Sequence, residues 1–178
     1  TKVISKIEKN EIIQIIKLKE NVGLGASRHK AILKSNGKYV AVMDSDDISL
    51  SDRLSLQIEA HQKLDVDVVG GYCREFSNQI ELENDSGPLR KVPLKHDEIF
   101  SRGRYRSPMN HVTVMFKRES YIESGGYQPI RSIEDYDLFY RMLISGFIFH
   151  NIPKVLVNVR TNELIDRRSG FKYLQDYL

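Results

Sequence analysis

The chain has 178 residues, 40% hydrophobic and 29% charged, which fits a single α/β-sized domain with one core. Its apolar runs are too short for a membrane span, and no apolar segment behind Thr1 has the form of a secretory signal. Its single cysteine, Cys73, excludes a disulfide framework and a thiolate metal cluster, so a reducing, cytoplasmic location is expected.

Charge is distributed in blocks along the chain. Residues 1–39 hold nine Lys and Arg against three acids, and residues 88–118 hold eight against two. Between them, residues 40–87 hold eleven acids against three bases. Such blocks fit either a protein that handles an anionic ligand together with a metal, or ordinary solvated faces. The net charge of +3 and the lack of any nucleic-acid-binding motif argue against a nucleic-acid partner.

Strands and helices alternate in the first part of the chain. This alternation predicts βαβ units, a mainly parallel sheet and right-handed crossovers. The predicted elements are a strand at 11–19, a helix before Gly37 as C-cap, a strand at 38–43, a helix at 49–64 capped by Ser49 or Ser51, and a strand at 66–72.

The second part begins with a turn-rich stretch at 77–88 and then resumes regular patterns. The predicted elements are a short helix at 93–103, a strand, brief helix and glycine turn within 111–127, a helix at 132–146 and final strands at 147–153 and 154–160. The tail after residue 161 is polar, although residues 171–178 could form a terminal helix.

The stretch "KYVAVMDSDD" ends a buried strand in three carboxylates, Asp44, Asp46 and Asp47. Their charges repel one another unless something positive lies beside them. Ligands of α/β sheets bind beyond the carboxyl ends of strands, and Mg²⁺ and Mn²⁺ prefer oxygen ligands. The pattern therefore favours a divalent metal site over the alternative, an Asx-type turn leading into the next helix.

Three stretches together carry a family resemblance. They are "ENVGLGASRHKAILKSNGKYVAVMDSDDISLSDRLSLQ", "SPMNHVTVMFKRESYIESGGY" and "SIEDYDLFYRMLISG". In this order they resemble the family 2 inverting glycosyltransferases of the GT-A fold. The resemblance implies a Rossmann-like, mainly parallel sheet flanked by helices. It also implies an N-terminally truncated chain, because the family's first strands, which grip the nucleotide base, precede the matching part.

The resemblance also implies a domain plan. Residues 1–178 would form one partial catalytic domain. Residues 1–72 would be its donor-binding part, residues 73–160 its acceptor and catalytic part, and residues 161–178 a tail.

The resemblance gives roles to matching residues. Asp44 would contact the nucleoside or ribose of a sugar nucleotide, Asp46 would coordinate a metal on its diphosphate, and Asp47 would assist. Arg28 resembles a donor-side contact, since a guanidinium can bond two phosphate oxygens at once. Asp135 corresponds to the catalytic base that takes the proton of the acceptor hydroxyl.

Other interpretations stay open for several of these positions. Ser132 and Asp135 also form a pattern typical of a helix capping box. His111 fits either an acceptor contact or a structural hydrogen bond, and Arg160 fits either a phosphate contact or a solvated strand end.

The favoured function is a metal-assisted, inverting sugar transfer for bacterial polysaccharide or glycolipid assembly. Mn²⁺ or Mg²⁺ would be the cofactor, a UDP-linked sugar the donor, and a saccharide or lipid-linked molecule the acceptor. Peripheral membrane association at the inner face and a homo-oligomer are compatible with this function. The alternatives are a nucleotide-sugar- or carbohydrate-binding module without turnover and, third, a metal-dependent phosphatase.

Overall fold

The computed structural model of the chain describes residues 13–130 and 133–161. Within them, six strands form one mixed sheet flanked by helices. The strands are β1 (Tyr39–Ala41), β2 (Ile48–Ser49), β3 (Val68–Phe76), β4 (Leu89–Arg90), β5 (Met115–Lys117) and β6 (Phe149–Arg160). The helices are α1 (Leu24–Lys34), α2 (Arg53–Leu64), α3 (Gln79–Glu83), α4 (His96–Gly103), α5 (Arg118–Glu123) and α6 (Glu134–Ile144), with a 3₁₀ turn at His111–Thr113.

The sheet is built around its two longest strands. β3 and β6 pair in parallel, from Val68 opposite Phe149 to Phe76 opposite Arg160. The strand order is β1-β5-β3-β6-β2, and β4 pairs with β3. The four pairings made by the short strands are antiparallel. The predicted α/β class is confirmed. The parallel part of the sheet is its long central pair, β3 and β6, and the short strands add antiparallel pairings around it.

Strands β1 and β3 run in the same direction, as the βαβ prediction requires. They are not neighbours, because β5 lies between them and pairs antiparallel with both. Both strands are apolar runs, and Val68, Val69 and Phe116 are fully buried at this junction. The largest buried cluster lies between this part of the sheet and helix α6, which contributes Leu138, Phe139, Met142 and Leu143.

Several boundary predictions are corrected. Residues 13–19 of the predicted first strand contain no strand, while residues 11 and 12 lie outside the described part. Helix α1 ends with Ser35 as C-cap rather than at Gly37. Helix α2 has Asp52 as N-cap, because Ser49 pairs in β2 opposite Val157 and Ser51 precedes the helix.

Two further predictions concern a membrane-spanning helix, which the sequence argues against, and a terminal helix at 171–178. No helix in the ranges 13–130 and 133–161 is long and apolar enough to cross a membrane. The terminal helix predicted at 171–178 lies outside the described residues.

Candidate active site

A cavity of about 640 Å³ lies beyond the carboxyl ends of β1 and β6. All five residues predicted for the site line it, although they come from α1, the turn after β1 and the start of α6. The lining includes Arg28, Asp44, Asp46, Asp47 and Asp135, together with Arg90, Tyr105, Arg106, His111, Glu134, Tyr136 and Arg160. The structure therefore brings the predicted donor side and the predicted catalytic residue to one cavity.

The carboxylate turn joins β1 to β2. It is closed by a backbone hydrogen bond from Asp47 N to Asp44 O of 3.4 Å. The Arg28 guanidinium, on helix α1, donates to Asp44 Oδ1 and forms an ion pair with it. Arg28 is thus one of the positive groups that the cluster of acids requires, and it fixes α1 against the end of β1.

Asp47 faces the end of β6. The backbone N–H of Arg160 donates to Asp47 Oδ1 at 3.0 Å, and Arg160 Nε donates to Asp46 O at 3.3 Å. Burial raises the pKa of Asp47 to about 6, the charges of Asp44 and Asp46 add to this rise, and the Arg160 hydrogen bond opposes it. The guanidinium of Arg160 also lies 4.6 Å from the centre of the Phe76 ring. Arg160 therefore supports the turn through its backbone and side chain.

Asp46 differs from its two neighbours. Its side chain is exposed and makes no hydrogen bond or ion pair with the described residues. Carboxylate oxygens suit Mg²⁺ and Mn²⁺, which commonly bind one or two protein carboxylates and complete their shell with ligand phosphates and water. In the part of the chain that the structure describes, no group of three or more His, Cys, Asp or Glu side chains forms a metal site. Asp46 could therefore supply one ligand to a divalent cation whose remaining ligands come from other groups.

Asp135 stands at the start of α6. The N-cap of this helix is Ile133, which makes no side-chain cap, and the predicted cap Ser132 lies outside the described residues. The Asp135 carboxylate is half-buried and has no hydrogen bond or ion pair within the described ranges. Its neighbours are anchored instead: Tyr136 OH donates to Gly103 O at 2.9 Å, and Arg141 pairs with Asp137 at 2.8 Å. Asp135 is thus available to a ligand on a firmly held helix end.

His111 lies in the cavity wall and belongs to a hydrogen-bonded group of rings. Its Nε2 lies 2.6 Å from Tyr127 OH, and the backbone N–H of Tyr127 donates to Tyr121 OH at 3.0 Å. His29 Nδ1 lies 2.9 Å from the same Tyr121 hydroxyl. Burial lowers the pKa of His111, and the charge of Arg28 adds to the effect. His111 is therefore neutral near pH 7 and links the wall to α1 through these rings.

Sequence reasoning missed the polar face of α2. Leu54 on this helix is 51% exposed, while Arg53 and Gln57 are 1% and 0% exposed. Arg53 donates to Val42 O at 2.8 Å, and Gln57 donates to two backbone carbonyls, Val69 O and Thr113 O, both at 2.8 Å. The spacing Arg53-x-x-x-Gln57 was the available signal, because residues four apart share a helix face.

The sheet and its flanking helices form an α/β fold of the GT-A class, and the carboxylate turn after β1 and the half-buried acid at the start of α6 line one cavity of it. Residues 1–125 match Glycosyl transferase family 2, and the chain belongs to this family. The predicted family is therefore confirmed.

Two named relatives cover most of this chain. The amylovoran biosynthesis glycosyltransferase AmsE of Erwinia amylovora is 32% identical over 165 residues, covering 90% of this chain and 59% of the relative. The UDP-Gal:alpha-D-GlcNAc-diphosphoundecaprenol beta-1,3-galactosyltransferase of Escherichia coli is 34% identical over 158 residues, covering 88% and 56%. The chain thus spans less than two thirds of the length of these relatives.

Solved structures share the fold. S. aureus TarS 1–349 in complex with UDP-GlcNAc has a TM-score of 0.67 at 15% identity, covering 96% of this chain and 48% of TarS. The mannosyltransferase PcManGT from Pyrobaculum calidifontis, in complex with GDP-Man and Mn²⁺, has a TM-score of 0.60 at 15% identity, covering 92% and 43%. At this identity the likeness concerns the fold alone.

Proposed function

We propose that this chain carries the catalytic centre of an inverting, metal-assisted glycosyltransferase. The donor is a nucleotide sugar, UDP-linked, and the acceptor is a saccharide or a lipid-linked saccharide used in bacterial surface polysaccharide assembly. One observation carries the proposal: a carboxylate turn with a paired guanidinium lines the same cavity as a separate carboxylate, Asp135, which has no ion pair among the described residues. The E. coli relative, whose name includes a UDP-linked donor and a lipid diphosphate acceptor, supports the choice of substrates.

Each part of the cavity has a role in this proposal. Asp44 and Arg28 orient the nucleoside and diphosphate of the donor, and Asp46, assisted by Asp47, holds Mn²⁺ or Mg²⁺. When bound, the metal neutralises charge on the leaving diphosphate. The Mn²⁺ complex of the PcManGT neighbour agrees with this cofactor class.

The protein's step is a proton transfer. Asp135 accepts the proton of the acceptor hydroxyl while that oxygen bonds to the anomeric carbon and the bond from this carbon to the diphosphate oxygen breaks. The products are the glycosylated acceptor, the nucleoside diphosphate and a protonated Asp135. One displacement at the anomeric carbon inverts its configuration.

In this proposal the chain divides into a donor-binding part, an acceptor-binding part and a tail. Residues 1–72 serve the donor, residues 73–160 serve the acceptor and the chemistry, and residues 161–178 are a tail. An acceptor carried on a lipid diphosphate would place the reaction at the cytoplasmic face of the membrane. A module that binds nucleotide sugars without turnover is the second candidate.

The test uses the natural full-length protein with UDP-, GDP- and dTDP-sugars, with and without Mn²⁺. Acceptor-dependent release of nucleoside diphosphate supports a transferase, donor binding without release supports the binding module, and phosphate release from simple esters supports a phosphatase. The Asp46→Asn variant is expected to lose Mn²⁺-dependent donor binding in calorimetry. The matched control is Asp52→Asn, because Asp52 is exposed, lies outside the cavity lining and makes no side-chain cap. Unchanged metal affinity in Asp46→Asn contradicts the metal assignment.

A further inference from the structure

The loop that follows helix α4 is strongly basic and borders the cavity. Arg104 and Arg106 lie in this loop on either side of Tyr105, and Arg102 precedes it in the last turn of α4. Tyr105 is 71% exposed. Tyr105 and Arg106 line the main cavity, but Arg104 does not. The proposed function gives none of these side chains a role in donor binding or in the proton transfer.

The positive groups of the cavity differ in what they contact. Arg28 pairs with Asp44, and Arg160 supports the carboxylate turn. Arg90 pairs loosely with Glu75 at 3.4 Å. The guanidinium of Arg106 is exposed and has no hydrogen bond or ion pair with the residues in 13–130 and 133–161. Arg106 is therefore a cation of the cavity whose charge no described acid neutralises.

Arg106 also stands at a boundary between two cavities. A second, more open cavity of about 670 Å³ shares Tyr105 and Arg106 with the first. Arg102 lines this second cavity, and its Nε is buried without a hydrogen-bond partner among the described residues. Burial and, second, the charge of Arg106 lower the pKa of the Arg102 guanidinium. Asp97 and Glu98 also line the second cavity, so an anion would be favoured only at this boundary, where it would meet two guanidinium groups that now repel each other.

The basic loop is held in place relative to the proposed base. Tyr136, the residue after Asp135, donates its hydroxyl to Gly103 O at 2.9 Å. A Cβ built on Gly103 would lie 2.8 Å from Leu143 Cδ1, so the end of α4 packs directly on α6. The acid that would take the acceptor's proton and the arginines of the loop therefore belong to one packed unit. The Asp44–Asp47 turn, in contrast, is tied to α1 and β6.

We propose that Arg106, with Arg102 beside it and Tyr105 as an apolar wall, forms an acceptor subsite for a phosphate or diphosphate ester. The acceptor would place its sugar hydroxyl at Asp135, its anionic group on Arg106, and the rest of the molecule along the second cavity. Guanidinium groups suit this ligand, because their planar donors bond two phosphate oxygens at once. The inference rests on the proposed function and adds to it the residues that would bind the phosphate groups of the acceptor.

The kinetic test compares Arg106→Gln, Arg106→Lys and Arg104→Gln in the natural full-length protein. Each is assayed with an acceptor sugar carried on a prenyl diphosphate and with the methyl glycoside of the same sugar. Loss of a charge-assisted contact should raise KM for the diphosphate acceptor roughly 10–100-fold in Arg106→Gln, with donor KM unchanged. Arg106→Lys should restore part of the loss, and Arg104→Gln should resemble the parent protein. Equal changes for both acceptors, or a change confined to donor KM, overturn the proposal.

A binding test separates this inference from the proposed function. Calorimetry without divalent metal measures inorganic diphosphate and geranyl diphosphate against the same variants, so no turnover is needed. Loss of binding in Arg106→Gln but not in Arg104→Gln supports the subsite, even if no transfer is seen with any donor. Stronger binding of geranyl diphosphate indicates a lipid-linked ester, and equal binding indicates recognition of the phosphate groups alone. Binding that is unchanged by Arg106→Gln contradicts the subsite, even if sugar transfer is observed.

Discussion

At the scale of single residues, Asp44, Asp46 and Asp47 share a motif but not an environment. Asp44 is paired with Arg28, Asp47 accepts a backbone hydrogen bond from Arg160, and the exposed Asp46 side chain has no partner among the described residues. The sequence indicated a cluster beyond a strand, and the structure places it there. It could not indicate which acid is paired, because Arg28 lies 16 positions away and Arg160 lies 113 positions from Asp47.

Asp135 gives the sharpest prediction at this scale. As a general base it should matter for turnover and little for donor binding, so Asp135→Asn should lower kcat roughly 10²–10⁴-fold. Because Asp135 makes no hydrogen bond or ion pair with the described residues, the same change should cost at most about 1 kcal/mol of unfolding free energy. Steady-state kinetics and thermal unfolding on one preparation measure both quantities.

The control lies on the same helix. Asp137 is ion-paired with Arg141 at 2.8 Å and does not line the cavity. Asp137→Asn should therefore lower the melting temperature while turnover stays near that of the parent protein. Near-normal kcat in Asp135→Asn, with a reduced melting temperature, would instead make Asp135 a structural residue.

At the scale of elements, the sequence predicted what local patterns control. The helix that became α6 was expected at 132–146 and spans Glu134–Ile144, and the strand expected at 38–43 contains β1. The two strands expected at 147–153 and 154–160 are one strand, β6. The position of β5 between β1 and β3 was not predicted, because such pairings depend on contacts between distant parts of the chain.

Strands β3 and β4 approach each other closely at Gly87, just before β4 begins. A Cβ added to Gly87 would lie 1.7 Å from the backbone oxygen of Glu75, a contact that requires the backbone to move. The hydrogen bond from Glu75 N to Pro88 O, 2.9 Å long, holds the strands together beside this point. Gly87→Ala should therefore destabilise the protein by roughly 1–3 kcal/mol, as overpacking does. Chemical unfolding measures this change.

The neighbouring position supplies the comparison. Ser86 is exposed and its side chain makes no hydrogen bond with the described residues, so Ser86→Ala should stay within about 0.5 kcal/mol of the parent. If Gly87→Ala were equally neutral, the close approach of the two strands would not hold in solution.

At the scale of the whole molecule, histidines with lowered pKa make stability depend on pH. His61, on α2, is 2% exposed, and its Nδ1 lies 2.8 Å from Val66 O. Burial lowers the pKa of His61 below its usual 6.5, and burial lowers that of His111 as well. The unfolded chain takes up these protons near pH 6.5, but the folded chain resists them. Unfolding free energy is therefore lost as pH falls below 6.5.

Asp47 acts in the opposite direction over part of this range. Its folded pKa is raised from 3.8 to about 6, so between these values the folded state binds the extra proton and gains stability as pH falls. Because three histidines with lowered pKa, His61, His111 and His150, oppose one carboxylate, we expect a net loss of stability on the acid side, at a slope that each histidine raises by up to about 1.4 kcal/mol per pH unit. His61→Gln keeps an amide donor for Val66 O but cannot titrate. Urea unfolding at pH 7.5, 6.5, 5.5 and 4.5 in metal-free buffer should give a smaller acid-side slope for this variant than for the parent, and equal slopes would show that His61 is protonated in the folded state.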